Sequence, residues 1–184
     1  VHLAIIPDGN RRWAKARGLE IVKGHSKSAE IENVSALLGE AQRLGVKYVS
    51  IWGFSTENWN RPELEKKFLF KLLVKSFTDF LDYAHENKIR VRHIGRKDRL
   101  PKDVIASLEK LEKETAKYKE FNVNFCMDYG GRDELIRAVG KMLKEGKKGV
   151  DEKEFFGYLD TFGIPDVELI IRTSGEQRTS GFMP

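Results

Sequence analysis

Four short stretches of this chain concentrate residue types that bind and stabilise anions: "PDGNRRW" from Pro7, "FSTENWNRP" from Phe54, "DYGGRDE" from Asp128 and "RTSGEQRTSG" from Arg172. Arg11, Arg12, Arg61, Arg132, Arg172 and Arg178 carry planar, forked donors that suit diphosphate oxygens. Gly9, Gly130, Gly131 and Gly175 permit tight turns and close backbone approach to an anion. Singly, each arginine reads as a solvated loop charge; together they describe a site for more than one phosphate group. Two roles stay open for Asp8: a counter-ion to the guanidinium groups, or a ligand to Mg²⁺, which takes one or two carboxylates alongside phosphate oxygens and water. His25, in "KGHSKS", can donate to a phosphate oxygen or cap a helix. Asn58 can orient a substrate without carrying charge, and Trp59 can pack its loop.

These stretches follow apolar, β-branched runs at His2–Ile6, Lys47–Phe54, Asn122–Met127 and Val167–Ile171, with another run at Ile89–Ile94. Several runs are apolar on both faces, as strands covered by helices on each side must be. Longer amphipathic segments alternate with them, which predicts an α/β fold: a single domain with a central, mostly parallel sheet flanked by helices. In such sheets ligands bind at the carboxyl ends of the strands, where the polar stretches fall.

Ile31, Val34, Leu38 and Ala41 mark a helix that Ser28 would cap and Gly45 would close. Pro62 opens a longer helix running to about His85, with Glu63 and Glu65 in its first turn. Its apolar stripe, from Leu64 through Phe68, Leu72 and Phe77 to Leu81, is widened by Leu69, Phe70, Leu73, Val74 and Phe80. That excess fits a helix wedged between two neighbours, or a wall of an apolar tunnel or subunit interface. Further helices are expected over Pro101–Lys117, Arg132–Glu145 and Glu152–Phe162.

At 184 residues the chain fits one domain, and 33 Lys+Arg against 28 Asp+Glu give a net charge of +5. The basic residues are dispersed among acids and form no recognition motif, which argues against nucleic acid. A single cysteine, Cys126, rules out an internal disulfide and reads as a small core hydrophobe in a reducing compartment. No apolar run approaches the length needed to span a bilayer, and no signal-like segment opens the chain, so a cytoplasmic protein with at most peripheral membrane contact is expected.

Taken together, "DGNRRWA", "GH" at 24 and 25, "FSTENWNRP", "DYGGR" and "IRTSGEQRTSGF" resemble, in order and spacing, the cis-prenyltransferases, the undecaprenyl or polyprenyl diphosphate synthase family. The resemblance implies condensation of isopentenyl diphosphate onto an allylic prenyl diphosphate with formation of cis double bonds, and Mg²⁺ as cofactor. By motif it makes Asp8 the metal-binding catalytic acid and gives Gly9, Asn10, Arg11, Arg12 and His25 to the allylic diphosphate, with Trp13 beside them. It assigns Ser55, Thr56, Glu57, Asn58, Trp59 and Arg61 to a second motif, extended by Glu65, in which Asn58 serves proton removal or its organisation. Arg172, Arg178, Thr179 and Ser180 match the isopentenyl diphosphate clamp. A homodimer, a long-chain lipid product and membrane contact through that product are also implied. The rival within the family is a non-catalytic subunit of a heteromer; such subunits commonly lack the early Asp and the Asn motif, both present here. A phosphohydrolase is less compatible, because no second acid follows Asp8 two residues later. Gln177 stands where many bacterial members have His, a position tied to metal binding, and Ile21 where some place Arg or Lys. The family domain also continues past "SGF" with a metal-binding Glu and much of the dimer interface, a part expected to be missing from residues 1–184.

Overall fold

A computed structural model describes residues Val1–Met183. Five strands, β1 (His2–Ile6), β2 (Tyr48–Ser55), β3 (Ile89–Ile94), β4 (Phe121–Tyr129) and β5 (Leu169–Arg172), form one sheet in the order β3-β4-β2-β1-β5. Every pairing is parallel, so all five strand exits lie along one rim. Strand β4, paired on both sides, is buried along its whole length, as the doubly apolar run requires.

The alternation of side chains divides the core into two layers. Ile5, Val49, Val123, Phe125 and Met127 pack with helices α3 (Ile31–Arg43), α4 (Glu63–Glu86) and α5 (Lys102–Thr115). Ala4, Ile6, Ile94 and Cys126 face the other way and pack with Tyr129 and Phe182. Phe182 stacks on Trp52 at 4.7 Å between ring centroids, fastening the C-terminal loop to the sheet. On that side Glu134 of α6 (Gly131–Lys144) accepts from the Tyr129 hydroxyl at 2.7 Å and from the Thr161 amide at 2.9 Å.

Four sequence-based expectations need correction. "GNRRWAK" is no loop: Asn10–Lys15 form helix α1, with Gly9 at its N-cap. Ser28 does not cap α3 but ends a separate helix α2 (Ile21–Ser28), inside which His25 lies; Glu30 holds the N-cap position of α3. The segment after Asp151 is helical only over α7 (Glu152–Phe156), where the Asp151 side chain accepts from the Glu154 amide, and turns follow it. Leu64 contributes to no wall: its side chain is exposed, while Phe70 packs into the core against Phe54 and Trp59.

Candidate active site

The exits of β1, β2 and β5 converge on one cleft. After β1 the backbone enters α1 through Gly9 at φ 94°, in the left-handed region. A Cβ there would lie 2.4 Å from the Ser174 Cβ, so glycine is required both by conformation and by the close approach of the β5 loop. Helix α2 comes equally close to α1 at Gly24, whose hypothetical Cβ would lie 2.0 Å from the Asn10 carbonyl oxygen. This contact brings His25 to the cleft beside Arg61 and Glu65.

Asp8 is the anionic centre of the mouth. Its Oδ2 accepts from Arg172 Nη2 at 2.8 Å and Nε at 3.1 Å, and its Oδ1 from the Gly9 amide at 2.6 Å. Burial alone would raise the Asp8 carboxyl; the bonds from Arg172 and Gly9 outweigh it and hold the group below its ordinary value. Arg172 also donates to the Arg178 carbonyl at 2.7 Å and to Ser180 Oγ at 2.8 Å, so one guanidinium joins the first and last strand exits. Arg12 bonds Glu176 at 2.8 Å and Ser174 at 2.6 Å, and Glu176 also pairs with Arg178.

After β2 the chain makes a single 3₁₀ turn, Thr56–Asn60, closed by a reciprocal cap: Ser55 N–H donates to Asn58 Oδ1 at 3.1 Å, and the Ser55 side chain caps the turn in return. The turn points Asn58 into the cleft and is followed by Arg61, which bonds Glu65 at 3.0 Å. Burial lowers the pKa of His25, and the charge of Arg61 lowers it further, so the imidazole is neutral near pH 7. Burial likewise lowers that of Arg61, without threatening its charge.

Of the residues singled out from sequence, Asp8, Gly9, Asn10, Arg11, Arg12, Trp13, His25, Ser55, Glu57, Asn58, Arg61, Arg172, Arg178 and Ser180 all line this cleft. Thr56 lies instead on a smaller polar pocket with Gly130, Gly131 and Arg132. Trp59 turns away into the core, and Thr179 and Gln177 line neither cavity. Ser174 and Glu176, inside the quoted β5 stretch but not distinguished by sequence reading, contact Arg12 directly. Their signal was positional only, since a Ser and a Glu in an Arg-rich loop are ordinary turn residues.

Behind the polar mouth the cavity turns apolar and runs between the sheet and α3 and α4, lined by Ile51, Leu69, Leu73, Phe77, Phe80 and Phe125. Its volume of about 1770 Å³ exceeds the roughly 300–1,000 Å³ of an ordinary small-ligand pocket. The arrangement defines a class: an α/β protein whose cleft at the sheet rim combines a ring of guanidiniums with an apolar interior.

The comparisons narrow that class. A family model described as "Putative undecaprenyl diphosphate synthase" matches residues 6–184. An isoprenyl transferase of Aquifex pyrophilus is 43% identical over 182 residues, covering 99% of this chain and 78% of that protein. Among solved structures, lavandulyl diphosphate synthase from Lavandula x intermedia, in complex with dimethylallyl diphosphate, superposes with a TM-score of 0.91 at 30% identity, covering 100% of this chain and 81% of that one. A "probable undecaprenyl diphosphate synthase" from Campylobacter jejuni gives 0.81 at 29% identity, covering 99% and 78%. The chain belongs to the undecaprenyl diphosphate synthase family, the cis-prenyltransferases.

Proposed function

We propose that the cleft condenses isopentenyl diphosphate onto an allylic prenyl diphosphate with cis geometry, Mg²⁺-dependently, to give a long-chain polyprenyl diphosphate. The observation that carries this reading is the single cavity in which Asp8, Arg11, Arg12, Arg61, Arg172 and Arg178 surround the mouth and Leu69, Leu73, Phe77, Phe80 and Phe125 line the interior. Such a cavity matches a molecule with a charged head and a hydrocarbon tail. A solved relative that holds dimethylallyl diphosphate supports an allylic diphosphate as one occupant.

Departure of diphosphate from an allylic carbon builds negative charge on oxygen, and fixed guanidiniums beside the leaving group stabilise it in the transition state. Arg11, Arg12 and His25, on α1 and α2, are assigned to that group. Arg172, Arg178 and Ser180, joined by hydrogen bonds at the β5 exit, are assigned to isopentenyl diphosphate. Asn58, fixed by its cap, is assigned to orient the proton lost as the new double bond forms. Each methylene that leaves water for the cavity contributes about 0.8 kcal/mol, which favours retaining the growing chain.

Mg²⁺ fits the donor set at Asp8. Oδ2 takes two bonds from Arg172, whereas Oδ1 takes only the Gly9 N–H and keeps a lone pair for a cation. Among the described residues no three His, Cys, Asp or Glu side chains gather to hold a metal, so phosphate oxygens and water would complete its shell. The ion would neutralise diphosphate charge.

The exposed Ile136, Val139 and Leu143 on α6, with Phe162 also exposed, support a homodimer that would bury them. No described helix is long and apolar enough to cross a membrane, so bilayer contact would come through the lipid product. The test is incubation with Mg²⁺, radiolabelled isopentenyl diphosphate and farnesyl or geranylgeranyl diphosphate. Butanol-extractable long products are expected; no incorporation with any allylic starter overturns the reading.

A further inference from the structure

Behind the 3₁₀ turn that presents Asn58, the end of β4 places a fully buried acid, Asp128, in the left-handed backbone region at φ 49°. Its carboxylate oxygens accept three hydrogen bonds from side chains. Trp59 Nε1 donates to Oδ1 at 2.8 Å, Arg99 Nε donates to Oδ2 at 2.8 Å, and Arg99 Nη2 reaches Oδ1 as well. Arg99 in turn lies 5.4 Å above the centroid of the Trp59 ring. Lys66, itself buried, donates to the Trp59 carbonyl at 3.1 Å and sits 5.5 Å from the same ring. Trp59 is thus gripped at its indole N–H, its ring and its carbonyl, while its neighbour Asn58 faces the cleft.

We propose that Asp128, with Arg99, is a positioning residue for the reaction: through Trp59 it fixes the segment 55–61 so that Asn58 and Arg61 meet the substrates. The proposal rests on the functional reading of the cleft above. It asks for an acid specifically at 128, because an acceptor is needed on both oxygens at once. An asparagine would turn its NH₂ group against either the Arg99 or the Trp59 N–H and leave a donor unpaired in a buried place. The pair is also separate from the cleft, since neither Asp128 nor Arg99 lines it.

Asp128→Asn is expected to lower kcat about tenfold while KM for the allylic diphosphate, held from α1 and α2, moves less than about threefold, because displacing a catalytic group costs rate before it costs binding. In a Trp59→Phe background the same substitution should cost less than about twofold, since contacting residues that act as a unit are not additive. Losses that multiply in the double variant would overturn the proposal, as would an unchanged kcat. Arg99→Gln, at a more exposed side chain, gives the same comparison should Asp128→Asn fail to fold. Amide hydrogen exchange of the full chain supplies a readout independent of turnover: residues 55–61 should exchange faster in either variant while β1 and β2 stay protected. Exchange confined to its wild-type rate overturns the inference even if the enzyme turns over; a wild type that makes no prenyl product while exchange rises overturns the functional reading alone.

Discussion

Two clusters of arginine and carboxylate lie at the sheet rim, and they are built differently. At the exits of β1, β2 and β5, Arg12, Arg172 and Arg178 share Asp8 and Glu176, and Arg11 and Arg61 share Glu65, so guanidiniums outnumber their acids. Beyond the exit of β3, Arg96, Arg137 and Lys141 alternate with Asp98, Asp133 and Asp160 in a balanced chain that ties α6 to its neighbours. The same residue types serve two ends. A balanced network completes itself and holds elements together, whereas a surplus of donors around a cavity is complete only when an anion arrives.

The contrast is broken most severely at Asp8. Asp8→Ala should cut isopentenyl diphosphate incorporation by at least about a hundredfold, the scale of losing one preorganised electrostatic group, with the melting curve retained because the side chain is partly exposed. Unchanged turnover would show that the acid only balances charge. Arg172→Gln is next: it removes the bonds to Asp8, Arg178 and Ser180 together, and kcat/KM for isopentenyl diphosphate should fall about ten- to a hundredfold, read from initial rates at varied substrate.

The balanced cluster should respond in the opposite sense. Arg137, which pairs with both Asp133 and Asp160 and is held well above its ordinary pKa against the pull of burial by those acids, can be changed to Gln. That should cost about 1–3 kcal/mol of stability, discounted for partial exposure, with kcat preserved. Denaturant unfolding beside a turnover assay checks both halves. The smallest effect belongs to pH. Burial pushes the imidazoles of His2 and His93 below their ordinary value of 6.5. The unfolded chain therefore takes up protons first as pH falls below that value, and stability declines until the folded imidazoles titrate too. Melting temperature should drop a few degrees from about pH 7.5 to about pH 5.5, and His93→Gln should flatten the slope.

The parallel sheet and the long helices were legible because their signals are periodic and local: β-branched runs, the Pro62 start and the Ile31–Ala41 stripe each speak for themselves. The cleft was legible as a set of exits, since the α/β topology alone sends those loops to one side. What escaped was short or mutual. Helix α1 has six residues, too few for an apolar stripe, and α2 includes Gly24 for a contact with Asn10 that no local pattern announces. Likewise Asp128 reads as one more polar residue before a Gly pair until Arg99 and Trp59, distant in sequence, are seen to donate to it. Leu64 misled for the reverse reason: it continues a stripe on a helix whose first turn has no neighbour on that side.

Strand β1 lies between β2 and β5, so during synthesis it finds one partner early and the other only after more than a hundred and sixty residues have followed it. Arg172 ends that late strand and is the group that closes on Asp8. Residues 164 positions apart in the sequence therefore meet at the mouth of the cleft, and a nascent chain not yet extended through β5 carries the acid without its clasp.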